Sequence, residues 1–273
     1  MKRQLSIKLK RLKKLISKYE SVLIAFSGGV DSTFLLRVAV DVLGMKKVTA
    51  LTVYGELFSS REIKAAKQFV KKIGVKHILI KTSILQKKSF LRNKHNRCYI
   101  CKKSLFRHCL NTARSLKIKT VCDGSQKDDL YAYRPGNKAA RELKIRQPLA
   151  ECKLDKEDIR IISRTLNLPN WNNPSSSCLA TRFPYARKIS LQALDSVEKG
   201  EEALKKLGLV IVRLRYYGDV ACIEAGSDEI HKFLHKPFRG KSIKALKRIG
   251  FKHIMLDLEG YRSGKMDEAT DKI

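Results

Sequence analysis

Ser21-Val22-Leu23-Ile24-Ala25-Phe26-Ser27-Gly28-Gly29-Val30-Asp31-Ser32 decides the architecture. Val22 to Phe26 is apolar without alternation, which suits a strand buried on both faces, and from Asp31 to Leu43 the apolar residues return at helical spacing. Strand, glycine turn and helix in that order aim backbone N–H groups and the positive end of a helix dipole at one point. That point is an anion site, and the glycines let a ligand approach the backbone closely. The turn lacks the lysine of Gly-x-x-x-x-Gly-Lys-Ser/Thr and the Gly-x-Gly-x-x-Gly fingerprint of dinucleotide folds.

The same alternation continues outward. Val48 to Val53 reads as a second strand, Ser60 to Ile73 as a helix closed by Gly74, Lys76 to Ile80 as a third strand, Cys101 to Leu116 as a helix and Thr120 to Asp123 as a fourth strand. On the other side, Leu5, Leu9, Leu12 and Ile16 mark an amphipathic helix before the first strand. Ala139 to Leu143 is a short helix, and Asp155 caps a helix reaching Leu166. These elements give an α/β class with a parallel twisted sheet flanked by helices. Pro169 to Tyr185 is rich in Pro, Ser and Asn and reads as an irregular active-site loop. Then the pattern changes to a helix from Ser190 to Leu207, strands Val210 to Tyr216 and Val220 to Glu224 around a Gly-Asp turn, helices near 228–234 and 241–249, and a strand from His253 to Leu258. This is a small C-terminal α+β domain, so the expected division is 1–185 and 186–273.

The chain has 273 residues, enough for two modest domains with buried cores. No apolar run approaches the ~20 residues that span a bilayer, and no signal-peptide pattern opens the chain, so a cytoplasmic protein without membrane contact is expected. Its 58 basic and 26 acidic side chains give a net charge of +32, which attracts phosphates, nucleotides, RNA or acidic surfaces. Residues 1–185 carry 40 basic and 13 acidic side chains and residues 186–273 carry 18 and 13, so the first part holds most of the field.

Seven cysteines in a reducing compartment are chemistry or core packing, not a disulfide framework. Cys98 and Cys101 form a CxxC just ahead of the expected helix, and Cys178 lies in the polar loop Ser175-Ser176-Ser177-Cys178-Leu179-Ala180-Thr181-Arg182. Four thiolates would suit zinc and three an iron–sulfur cluster with one open iron. Arg97, Lys102, Lys103 and a helix N-terminus are expected to favour thiolates at the CxxC, and Arg182 at Cys178. Cys109, Cys122, Cys152 and Cys222 stand beside apolar residues and read as core.

Ser27-Gly28-Gly29-Val30-Asp31-Ser32 resembles the SGGxDS PP-loop of ATP pyrophosphatases. That resemblance implies cleavage of ATP between its α and β phosphates, with Ser27, Gly28, Gly29 and Ser32 cradling pyrophosphate and Asp31 near its Mg2+. The segments Arg97 to Phe106, Asp123-Gly124-Ser125 with Asp128-Asp129, Tyr133-Arg134-Pro135-Gly136, Pro148-Leu149-Ala150, Cys178 to Tyr185 and Leu256 to Gly264 extend it nearly end to end. In that order they resemble the LarE family of ATP-dependent sulfur transferases.

The family resemblance implies adenylation of a pyridinium dicarboxylate mononucleotide and conversion of its carboxylates to thiocarboxylates, for a nickel-pincer nucleotide cofactor. It further implies a [4Fe-4S] cluster on Cys98, Cys101 and Cys178, with Cys178 catalytic, in the branch that does not sacrifice its own sulfur. Arg213, Arg215 and Arg262 are implied holders of the mononucleotide phosphate, with Glu224 and Glu201 or Glu202 near an acidic contact. Sulfide or a sulfur-donor protein and a homo-oligomer are further implied partners. The sequence departs from the family pattern at Ser125-Gln126-Lys127 and in its basic first 20 residues. The rival reading is a tRNA thiolation enzyme with the same loop and cluster, to which the basic first part would suit an RNA backbone.

Overall fold

A computed structural model describes residues 2–131, 135–174, 177–262 and 264–265. Tyr133, Arg134, Ser175, Ser176 and Ser263, which belong to motifs quoted above, lie outside the described residues. In chain order the helices and strands are α1 (Lys2–Ile16), β1 (Val22–Ala25), α2 (Val30–Leu43), β2 (Val48–Tyr54), α3 (Ser60–Ile73), β3 (Lys76–Lys81), α4 (Lys88–Leu91) and α5 (Arg97–Ser115). Then follow β4 (Thr120–Asp123), α6 (Lys127–Tyr131), α7 (Pro135–Glu142), α8 (Pro148–Glu151), α9 (Lys156–Thr165), α10 (Leu191–Lys206), β5 (Val212–Tyr216), β6 (Val220–Ala225), α11 (Lys236–Ile249) and β7 (His253–Leu256). The chain divides into two compact units, Met1–Ile84 with His95–Ser176, and Leu85–Lys94 with Ser177–Ile273.

The first unit holds a parallel sheet in the order β3-β2-β1-β4. Alternate residues of the central strand feed opposite faces, as the pleat requires. Val22 and Ile24 join Val48, Ala50 and Cys122 in a core closed by α1, α2, α3 and α9, whereas Leu23 joins Leu51, Val53 and Val121 under α5 and α7. Covering both faces is what the unbroken apolar strands called for. The N-terminal helix forms because Leu12 and Ile16 bury fully while Leu5 and Leu9 pack partly against the same core. α9 starts where a capping box closes it: the Asp155 carboxylate accepts the Asp158 N–H, and Asp158 accepts the Asp155 N–H.

The second unit has a three-stranded sheet, β5-β6-β7, with β5 and β6 antiparallel and β6 and β7 parallel. Two expected boundaries move. β5 begins at Val212 and not at Val210, because the N–H groups of Val210 and Ile211 donate to the Glu229 carboxylate instead of to a strand. The helix after β6 is a 3-10 turn, Ser227–Leu234. The CxxC is also corrected. α5 opens at Arg97, so Cys98 and Cys101 stand inside its first two turns, where their i, i+3 spacing sets both on one face.

Candidate active site

In the first unit, strand β1 ends at the sheet's switch point, where its neighbours β2 and β4 lead to opposite sides. Gly28 there has φ +79°, a left-handed conformation that side chains resist, and a Cβ on it would lie 3.0 Å from the Ala66 Cβ. Ser27 Oγ lies 3.1 Å from Ser32 Oγ and accepts the Gly29 N–H at 3.3 Å, while the Ser32 hydroxyl donates to the Gly29 carbonyl at 3.1 Å. These bonds fold the two serines inward over the glycines. No side chain caps the start of α2, which leaves its dipole end directed at the turn.

The neighbouring strand end presses on this turn. A Cβ on Gly124, just after β4, would lie 2.9 Å from the backbone N of Ser32. Gly124→Val is therefore expected to displace the turn and lower the melting temperature by several degrees, read from a thermal melt, while the far-ultraviolet circular dichroism below the melt stays that of the wild type. Asp123 beside it is buried and accepts from the Ser125 N–H and hydroxyl, from Lys102 at 3.1 Å and from Gln147 at 3.3 Å.

Asp31 occupies the first turn of α2, and the Lys156 ammonium donates to both of its carboxylate oxygens at 2.8 Å. An oxygen donor that already takes a cation fits a hard metal such as Mg2+. Lys156 was not legible in the sequence, since it stands 125 residues from its partner with no spacing to announce it. The same holds for Asn170, whose amide donates to the Gly28 carbonyl and the Thr33 hydroxyl, both at 2.9 Å.

Cys98 and Cys101 are half-buried on one face of α5. Around them, Tyr99 donates to Glu142 at 2.7 Å and Lys103 reaches both, which ties α5 to α7. Two thiols on one face suit iron–sulfur ligation by donor chemistry. Among the described residues, however, no three His, Cys, Asp or Glu side chains gather closely enough to hold a metal ion. Cys109, Cys122 and Cys152 are buried as expected for core residues, and burial pushes the Cys109 thiol up to about 12 and raises the others. Cys222 is half-buried, and burial raises it too.

In the second unit, Cys178 is half-buried and precedes the 3-10 turn Leu179–Arg182. Arg182 does not lend its charge to the thiol as a lone cation. Its Nε and one terminal nitrogen fork onto Glu201 at 2.7 and 3.0 Å, and the other nitrogen donates to the carbonyls of Ser177 and Cys178 at 2.9 and 3.1 Å. Burial pushes the Glu201 carboxyl up, yet Arg182, Arg213 and the Leu214 N–H outweigh it and hold the group below its ordinary value. Glu202 is exposed and pairs with Lys206.

The strand β5 places Arg213 and Arg215 on one face, both buried. Arg215 forks onto Glu224 at 2.8 and 2.6 Å and donates to the Thr181 carbonyl at 2.7 Å. Arg213 lies over the Tyr261 ring at 4.9 Å. Arg262 is exposed, 3.5 Å from Glu259.

A glycine turn leaving the first strand of a parallel sheet at its switch point is the arrangement of PP-loop enzymes. Residues 5–120 match the NAD synthase family. The chain is 34% identical, over 93% of its length and 91% of the relative's, to the pyridinium-3,5-bisthiocarboxylic acid mononucleotide synthase of Lactiplantibacillus plantarum. It is also 38% identical to an uncharacterized Synechocystis protein over 98% of this chain and all of that one. An uncharacterized protein of Methanocaldococcus jannaschii is 32% identical over 94% of this chain and 97% of that one. The chain belongs to the LarE family of the PP-loop superfamily. No helix among the described residues is long and apolar enough to cross a membrane.

Proposed function

We propose that the protein is an ATP-dependent sulfur transferase that converts a carboxylate of a pyridinium dicarboxylate mononucleotide to a thiocarboxylate, in nickel-pincer cofactor biosynthesis. The observation that carries this reading is the 34% identity to the Lactiplantibacillus synthase, which spans both units. A carboxylate oxygen attacks the α phosphorus of ATP, pyrophosphate leaves, and the acyl adenylate so formed is open to a sulfur nucleophile. Ser27, Gly28, Gly29 and Ser32 hold the departing pyrophosphate through backbone N–H and hydroxyl groups, and Asp31 holds Mg2+ in place of Lys156. This work falls to the 1–185 part, and substrate binding to 186–273.

The substrate phosphate is assigned to Arg213, Arg215 and Arg262, since arginine forks match phosphate oxygens. Arg262 is exposed beside Glu259, and Arg215 reaches a phosphate only by giving up bonds to Glu224 or Thr181. By family resemblance, Cys98, Cys101 and Cys178 would hold a [4Fe-4S] cluster, which would supply sulfide, drawn from free sulfide or a donor protein, to the acyl adenylate as AMP leaves. The reaction needs no membrane and suits a cytoplasmic homo-oligomer.

ATP incubated with the dicarboxylate mononucleotide is expected to yield AMP and pyrophosphate, resolved by anion-exchange chromatography. Asp31→Asn should lower that yield about a hundredfold without unfolding the chain. ADP and phosphate as sole products, or sulfur delivered to tRNA and never to the mononucleotide, would overturn the reading.

A further inference from the structure

Lys156, Arg160 and Arg164 recur every fourth residue on α9 and so form one stripe, with successive members about 6 Å apart along the axis. Together with Glu157 and Trp171 they line an open groove of about 430 Å3 within the first unit. The Arg164 guanidinium lies over the Trp171 ring at 5.0 Å. Arg160 donates one terminal N–H to the Asn173 carbonyl at 3.1 Å, but its Nε is buried with no hydrogen-bond partner. Asn170, next to Trp171, likewise has a buried and unpartnered Oδ1. Two donors fix this groove to the glycine turn: Lys156 on Asp31, and the Asn170 amide on the Gly28 carbonyl.

Charge alone does not explain the groove. Lys156 is balanced by Asp31, and Glu157 sets one carboxylate against the two arginines. What remains is an indole with a guanidinium stacked on it and a second guanidinium, held by the Asn173 carbonyl, that lines the groove. An acidic peptide would use the cations and leave the ring idle. A polynucleotide uses both, stacking a base on the aromatic face and offering phosphates to the forks. The step between Arg160 and Arg164 also suits adjacent phosphates of an extended strand, and the net positive charge of residues 1–185 supplies long-range attraction.

We propose that the α9–Trp171 groove binds a short single-stranded segment of nucleic acid, with a base on Trp171 and backbone phosphates on Arg160 and Arg164. The assignment does not rest on the identity of the sulfur acceptor, and it is read without ATP.

The test is fluorescence anisotropy of a labelled decauridylate with the full chain, titrated between about 50 and 200 mM salt. Trp171→Ala is expected to weaken binding about tenfold, with Trp171→Phe restoring most of it. The double change Arg160→Ala with Arg164→Ala should reduce the slope of log affinity against log salt by about 1.4, two phosphate contacts' worth. Lys10→Ala with Lys13→Ala, exposed on α1, should change neither. Thermal melts and ATP–pyrophosphate exchange check that the arginine double variant is folded. If Trp171→Ala does not fold, Trp171→Phe and the arginine pair decide. Absence of binding at low salt, equal weakening by the α1 lysine pair, or tighter binding of polyglutamate than of RNA would overturn the proposal, the last pointing to a protein partner.

Discussion

Alanine at Cys98, Cys101 or Cys178, one at a time, is expected to abolish sulfur transfer while ATP–pyrophosphate exchange survives. The separation follows from position. The three thiols stand on the first turns of α5 and before the Leu179–Arg182 turn, whereas the pyrophosphate turn draws its donors from Ser27 to Ser32. Under the proposed sulfur route all three variants should also lose iron and labile sulfide when purified without oxygen. Cys109→Ala and Cys122→Ala should keep both, because burial holds those thiols protonated and away from metal chemistry. The contrary result is specific: activity lost only in Cys178→Ala, with wild-type protein lighter by one hydrogen sulfide at Cys178 after a single turnover. That would make Cys178 the sulfur source and remove Cys98 and Cys101 from the chemistry.

Arg182→Met is expected to destabilise the second unit by about 3–5 kcal/mol, read from urea unfolding followed by tyrosine fluorescence. The cause is Glu201, whose side chain is 5% exposed and would lose its forked partner, keeping only the Leu214 N–H and the weaker attraction of Arg213 and of Lys205 at 4.0 Å. Replacing both partners, Arg182→Met with Glu201→Leu, should recover most of the loss, since a paired apolar substitution removes the desolvation penalty along with the attraction. The pH dependence follows from the sign of the shift. Arg182 keeps the Glu201 carboxyl below its ordinary value, so the carboxylate contributes stability fully above about pH 4.3 and loses it as pH falls through the lower folded-state value. In Arg182→Met that acid-side loss should disappear or reverse. A wild-type stability that is flat between neutral pH and strong acid would contradict the argument.

Much of this fold was legible because periodicity and turn residues reported it directly. The unbroken apolar run at Val22, the glycine turn and the helix after it could be read in order, and the strand, helix and strand rounds up to Asp123 fell within a few residues of their positions. What was not legible depends on contacts between residues far apart in the chain. Nothing near Val210 indicates that Glu229 will take its N–H and shorten β5. The CxxC looked like a loop ahead of a helix because Cys98, Tyr99, Ile100 and Cys101 are weaker helix formers than the Lys and Leu residues after them, yet in the fold Arg97 is buried and α5 starts there. The site divides in the same way. Ser27 to Ser32 announced an anion turn by local chemistry alone, while Lys156 on Asp31 and Asn170 on Gly28 emerged only from the folded chain. Arg213 and Arg215 were visible as a same-face pair, but their burial, and the Glu224 partner of Arg215, were not.

The two forked arginines of the second unit also govern how the Cys178 segment responds to heat. Arg182 grips the carbonyls of Ser177 and Cys178, Arg215 grips that of Thr181, and each guanidinium is itself clamped by a buried glutamate. The segment is therefore anchored to the small sheet by ion pairs as well as by apolar contact. Hydrophobic attraction per unit area levels off on warming, whereas the cost of stripping water from charged groups falls. The grip on the cysteine's backbone thus strengthens relative to the rest of the fold as temperature rises, and cooling, not heating, is where it holds the smaller share.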